Sequence, residues 1–139
     1  MFMRNITLFL FWWFLFFSIS TSSADNEINL DVDENGEYDA LSDGLLIIRY
    51  LFGLSGDDLV SGILGSNSLV VEPIEIKSKL DSMRSHLDVD ENGSVDALTD
   101  GLLILRYLFG LRGDSLVTQV IGTGAARNSS ESIEDYVKS

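Results

Sequence analysis

The stretch Asp31-Val32-Asp33-Glu34-Asn35-Gly36-Glu37-Tyr38-Asp39-Ala40-Leu41-Ser42-Asp43 returns as Asp88-Val89-Asp90-Glu91-Asn92-Gly93-Ser94-Val95-Asp96-Ala97-Leu98-Thr99-Asp100. Side-chain oxygens stand at alternate positions, a glycine (Gly36, Gly93) stands sixth, and each copy runs straight into an apolar segment. Alternating oxygens around a glycine that tolerates positive φ let a short loop wrap a hard cation such as Ca²⁺. A solvated acidic face, the usual origin of a charge run, needs neither the alternation nor the repetition.

The duplication is wider than the loops. Residues 30–60 align with residues 87–117 without a gap, and only six of those 31 positions differ. The same offset of 57 sets Gly65 against Gly122 and Ile76 against Ile133. The organisation expected is a leader over residues 1–24, a first calcium repeat over 25–65, a connecting loop and helix over 66–86, a second repeat over 87–124 and a C-terminal helix over 125–139.

Each loop feeds a segment, 44–52 or 101–109, that is apolar nearly all round. Periodicity alone leaves a strand open, but Asp43 and Asp100 suit a helix N-terminus and Gly53 and Gly110 a helix end. A second short helix is expected near Asp57 and Asp114, carrying Leu59, Val60, Ile63 and Leu64 in the first copy. Pro73 fits the first turn of a helix bearing Ile76, Leu80 and Met83. Asn128-Ser129-Ser130-Glu131 reads as a capping box for a last helix bearing Ile133, Tyr136 and Val137. The fold class expected is therefore all-α, a small duplicated calcium-binding loop–helix domain.

A calcium loop gathers six to eight oxygens at about 2.4 Å. Positions one, three and five offer Asp31, Asp33 and Asn35, then Asp88, Asp90 and Asn92. The backbone carbonyl of Glu37 or Ser94 is expected next, then Asp39 or Asp96, directly or through water. An acidic residue at the helix start closes the cage, here Asp43 or Asp100. About two ions per chain are expected.

Composition agrees with export and with calcium. Arg4, the apolar run over residues 6–19 and Ser22-Ser23-Ala24 have the layout of a secretory signal peptide cut before Asp25. The rival reading is an uncleaved membrane anchor, yet a helix over that run would measure about 21 Å against a hydrocarbon core of roughly 30 Å. The whole chain has a net charge of −13, with 22 acidic against 9 basic residues. Such a surface repels nucleic acid and anionic lipid, so neither nucleic acid nor, after cleavage, membrane is expected as a partner. The chain has no cysteine, and a small exported domain without disulfides calls for another staple, for which bound metal suffices.

The repeat resembles the calcium loop–helix of dockerin domains, relatives of the EF-hand. Dockerins pair two such repeats and place Tyr seven residues after the closing Asp, as Tyr50 follows Asp43 and Tyr107 follows Asp100. That register makes each loop one residue longer than the family's, with the surplus expected to bulge near Ala40-Leu41 and Ala97-Leu98. The repeats stand 57 residues apart, wider than in dockerins. Where dockerins carry Ser-Thr toward their partner, this chain carries Leu41-Ser42 and Leu98-Thr99, and of the basic pair only Arg49 and Arg106 remain. The resemblance implies structural calcium, a docking or anchoring role and a cohesin-like or other extracellular protein partner. Its alternatives are an accessory to extracellular polysaccharide degradation, or a calcium-buffering envelope protein.

Other residues carry plainer expectations. Tyr50, Phe52, Tyr107 and Phe109 are expected to pack the two repeats together rather than form a sugar-stacking face. The single histidine, His86, reads as a surface residue, since zinc or triad chemistry would need partners this chain lacks. Arg49 and Arg106 suit a last helical turn. No catalytic residue is assigned, and the chain is not expected to be an enzyme.

Overall fold

Each acidic loop ends on an aspartate that starts a helix. Asp39 has an extended backbone (φ −128°, ψ 154°) and its side chain accepts from the N–H groups of Leu41 and Ser42; Asp96 does the same for Leu98 and Thr99. Asp43 and Asp100 stand in the first turn, as their place at a helix N-terminus suggests, but the caps themselves are Asp39 and Asp96. The turns that follow, Ala40–Gly44 and Ala97–Gly101, are wide. Gly44 N–H donates to the Asp39 carbonyl, and Gly101 N–H to that of Asp96, each at 3.1 Å across five residues. A single π turn takes up one residue more than an α turn, which is where the surplus loop residue goes.

This computed structural model describes residues 28–138, so the leader expected over residues 1–24 lies outside them. The described chain is an all-α domain of two duplicated acidic loop–helix units, consistent with a dockerin-like fold. Helix α1 (Leu45–Leu51) and its twin α4 (Leu102–Leu108) continue the wide turns. Gly53, at φ 85°, stops α1: its N–H reaches the Tyr50 carbonyl at 2.8 Å while Leu54 N–H reaches that of Arg49 at 3.0 Å. This paired bonding beyond a left-handed glycine satisfies carbonyls the helix leaves open.

Short helices α2 (Asp57–Val60) and α5 (Asp114–Val117) come next, and Ile63 and Leu64 fall beyond the first of them. Arg49 and Arg106 explain why so short a helix persists. Arg49 Nη1 donates to the carbonyls of Asp58, Leu59 and Ser61 at 3.2, 3.3 and 2.9 Å. Arg106 makes the matching bonds to Ser115, Leu116 and Thr118. The arginines thus cap another helix's carbonyls.

Two closing helices complete the units. Helix α3 (Pro73–Met83) buries Ile76 and Leu80 and packs on α1 and α2; α6 (Ser130–Lys138) buries Ile133 and Val137 and packs on α4 and α5. Both closing helices begin at the offset of 57, so α3 stands to the first loop as α6 does to the second. Before α6, Ser129 and Ser132 cap reciprocally: Ser132 N–H donates to Ser129 Oγ and Ser129 N–H to Ser132 Oγ, both at 3.2 Å. The capping pair therefore sits one residue later than Asn128 and Glu131.

The units meet where α1 crosses the wide turn before α4, and α4 the turn before α1. Gly44 and Gly101 make this approach possible. A Cβ on Gly44 would lie 2.8 Å from Leu105 Cδ1, and one on Gly101 would lie 3.2 Å from Ile48 Cγ1. Aliphatic side chains therefore join the repeats at this approach, and of the four aromatics expected to do so only Tyr107 borders the other unit, sharing a cleft with Ile28 and Leu30. Phe52 and Phe109 are 58% and 55% exposed, and Tyr50 turns into its own unit, its hydroxyl donating to Asp81 at 2.8 Å. Among the described residues no helix is long and apolar enough to cross a membrane.

Gly44→Val is expected to lower stability by about 1–3 kcal/mol through overpacking, read by chemical denaturation. In a double-mutant cycle with Leu105→Ala, the double variant should lose less than the sum of the single losses.

Candidate metal centre

The loop backbone folds around its own carboxylates. Asp31 accepts from the N–H groups of Asn35 and Gly36 at 3.0 and 2.9 Å, and Asp88 from Asn92 and Gly93 at 3.1 and 3.0 Å. Gly36 and Gly93 adopt φ 86° and 85°, the left-handed conformation that turns each loop back. Glu34 and Glu91 share that region at φ 57° and 56°, an uncommon choice for residues with a Cβ.

Asp43 sits in the wide turn and reaches back over the loop it closes. Its Oδ1 accepts from Val32 N–H at 2.7 Å and Asp33 N–H at 3.4 Å, and its Oδ2 from Asp39 N–H at 3.0 Å. Asp100 repeats the pattern with Val89, Asp90 and Asp96 at 2.7, 3.3 and 3.0 Å. As a result, oxygens of Asp31, Asp33 and Asp43 converge within 4.8 Å of one another, as do those of Asp88, Asp90 and Asp100. Asp33, Asp43, Asp90 and Asp100 are all fully buried.

The other candidates lie along the same loops. Asn35 and Asn92 border the clusters, with Nδ2 at 3.3 and 3.5 Å from Asp33 and Asp90 Oδ2, and their Oδ1 atoms accept from Glu37 and Ser94 N–H. The side chains of Glu37 and Ser94 are exposed. Asp39 and Asp96 spend a carboxylate oxygen on the helix caps described above.

Two cations that sequence reasoning missed brace the loops from outside. Lys79, on α3, donates to the Asp31 carbonyl and pairs with Glu34 at 3.1 Å. Arg127 donates to the carbonyls of Asp88 and Val89 at 2.6 and 2.7 Å and pairs with Glu91 at 3.0 Å. These residues are not twins: Lys79 aligns with Tyr136, and Arg127 with Val70. Each unit thus places a cation against the same carbonyl and the same left-handed glutamate, from different positions. The signal lay in that exchange at the offset of 57.

Neither cation neutralises the clusters themselves. Among the described residues no Lys or Arg forms an ion pair with Asp31, Asp33, Asp43, Asp88, Asp90 or Asp100. Burial pushes the Asp43 carboxyl above its ordinary range despite the hydrogen bonds from Asp39 and Val32, and neighbouring Asp33 adds to the rise. Asp100 is raised in the same way, by burial first, with Asp90 adding. At Asp39 burial also raises, but the bonds from the Ser42 side chain and from Ser42 and Leu41 N–H together carry its carboxyl below the usual value.

This donor set fits a hard divalent cation. Every clustered donor is a carboxylate oxygen, as Ca²⁺ or Mg²⁺ requires, and the soft or nitrogen ligands that zinc favours are not part of either group. Two acidic clusters, one in each unit, could therefore each hold a metal ion. Compared with family models, curated proteins and solved structures, the chain matches none.

A pH signature follows from the raised carboxyls. Their folded pKa lies above the unfolded one, so in chelator their contribution to stability is present at low pH and lost as pH rises through the folded value. Asp39 works in the opposite sense, losing its contribution as pH falls through its lowered value. In EDTA the thermal midpoint should therefore rise as pH falls through the range where folded Asp43 and Asp100 take up protons, and turn down again at lower pH where Asp39 does. With calcium the first trend should reverse, because ligands must be deprotonated to bind.

Proposed function

We propose that this chain is an exported docking module whose two dockerin-like loops are held folded by calcium. The observation that carries the reading is the convergence of three carboxylates in each unit, two of them fully buried, with no ion pair among the described residues to offset their charge. Asp31, Asp33 and Asp43 would hold one ion and Asp88, Asp90 and Asp100 the other. Asn35 and Asn92, whose Nδ2 groups face Asp33 and Asp90, would have to turn their amide oxygens inward to join. Calcium is favoured over magnesium because a flexible set of six to eight oxygens suits the larger ion, whereas magnesium keeps several waters in a tight octahedron. Bound calcium supplies positive charge and cross-linking, not chemistry on a substrate.

Docking is supported by what the units leave outside. Leu41 and Leu98, beside the closing aspartates, are 64% and 63% exposed, and Phe52 and Phe109 at the helix ends are exposed in both copies. Apolar side chains repeated at equivalent surface positions suit a protein partner, and the family resemblance points to a cohesin-like one. Export is supported by the composition of residues 1–24 and by the abundance of calcium outside cells.

Calcium titration with calorimetry and circular dichroism, reversed by EDTA, tests the metal half of this reading. Two ions per chain and a gain of helix are expected, with about 2.7 kcal/mol of stability per site at a hundred-fold excess over Kd. Gly122→Ala should remove one ion only, because a Cβ there would lie 2.0 Å from Asn92 Nδ2 and 2.7 Å from Asp90 Oδ2. An unchanged spectrum and no binding heat would sink the calcium reading. For the docking half, Leu41→Asp with Leu98→Asp should abolish capture of a cohesin module by the calcium-loaded protein; no capture by the parent chain would remove that half alone.

A further inference from the structure

The duplication lets each unit serve as a control for the other. In the first unit Leu69, Val71 and Ile74 are 77%, 46% and 74% exposed. At the same three positions the second unit carries Ala126, Asn128 and Glu131. The fold therefore does not require apolar side chains there.

Beside them a groove runs between α3 and the first loop, lined by Val70, Ile74, Glu75, Lys79 and Glu34. The equivalent place in the second unit holds larger side chains. Arg127, opposite Val70, stacks over the ring of Tyr136, opposite Lys79, at 3.8 Å. In the first unit Val70 is short and the Lys79 head is drawn away to the Asp31 carbonyl and Glu34, which leaves the groove open.

The rim differs as well. Glu72 and Glu75 are exposed where the second unit has Ser129 and Ser132. The one lysine lining the groove already pairs with Glu34. The first unit is thus more apolar at this place, while both units carry three carboxylates there, Glu34, Glu72 and Glu75 against Glu91, Glu131 and Asp135, so that only in the first do they flank an apolar surface. A second copy of the chain would bring the same glutamates within a net charge of −13, so charge complementarity favours a basic partner over self-association.

We propose that this groove docks a basic amphipathic peptide segment. Its apolar side chains lie on Val70 and Ile74, flanked by Leu69 and Val71, and its Lys or Arg residues face Glu34, Glu72 and Glu75. The site belongs to the first unit alone and is separate from the surfaces that both units share.

The test is calorimetric titration of the protein, in calcium, with three synthetic peptides. One carries leucines at helical spacing among lysines; the second replaces lysine by glutamate; the third scrambles the leucines. Only the first is expected to bind. Leu69→Ala/Val71→Asn/Ile74→Glu should weaken it at least about tenfold with the thermal midpoint unchanged. Glu72→Ser/Glu75→Ser should also weaken it. Both variants borrow residues that the second unit already folds with, and the second keeps the test decisive if the first fails to fold. Equal binding of the glutamate or scrambled peptide would overturn the proposal, as would unchanged affinity in either folded variant. Sedimentation showing a dimer that the triple variant abolishes would assign the face to self-association instead.

Discussion

Everything in this structure turns on holding three carboxylates together in each unit, two of them out of water. Two unit charges about 4 Å apart repel by roughly 4 kcal/mol at an effective dielectric of about 20. Three such pairs in each unit would rival the whole stability of a small domain, about 5–15 kcal/mol. Backbone N–H groups offset part of this at Asp31 and Asp43, yet the pKa of Asp43 remains raised, so hydrogen bonds alone do not balance burial. A divalent cation held between them would, and on the function proposed above it would turn this electrostatic liability into the staple of the fold.

The wide turn is the device that aims the closing carboxylate. Asp39 caps the helix from outside, and the surplus residue of the π turn sets Asp43 where it can reach back to Val32, Asp33 and Asp39. The next residue, Gly44, lies against Leu105 of the other unit. Candidate ligand, cap and interface therefore fall within six consecutive residues of each copy, so the geometry of a loop cannot change without moving the contact that joins the units.

Much of this was legible in the sequence because the loops occur twice. The register of Asp31, Asp33 and Asp43, the glycine stops and the spacing of Ile76, Leu80 and Met83 are local patterns, and local patterns survive translation into backbone. What escaped depends on distance or on backbone shape. The cap at Asp39 rather than Asp43 follows from a turn width that no residue type announces. Lys79 and Arg127 act on carbonyls 48 and 39 residues away, and each stands where its twin unit has an uncharged side chain. Phe52 and Phe109 are large and apolar yet outside, a reminder that apolar residues are frequent on surfaces and that only their grouping carries meaning.

The exchange between Val70/Lys79 and Arg127/Tyr136 shows how a duplicated fold can diverge without losing its frame. Each unit needs one cation against the carbonyl that opens its loop and against a glutamate in left-handed conformation, and both the return segment and the closing helix come near enough to supply it. Once either position provides the cation, the other is released from that duty. In the second unit the released position took a ring that stacks on the arginine; in the first it took a valine too small to cover its neighbours. The loops stayed nearly identical because the carboxylate geometry tolerates little change. The braces occupy different positions in the two units, and the groove beside α3 lies where they differ.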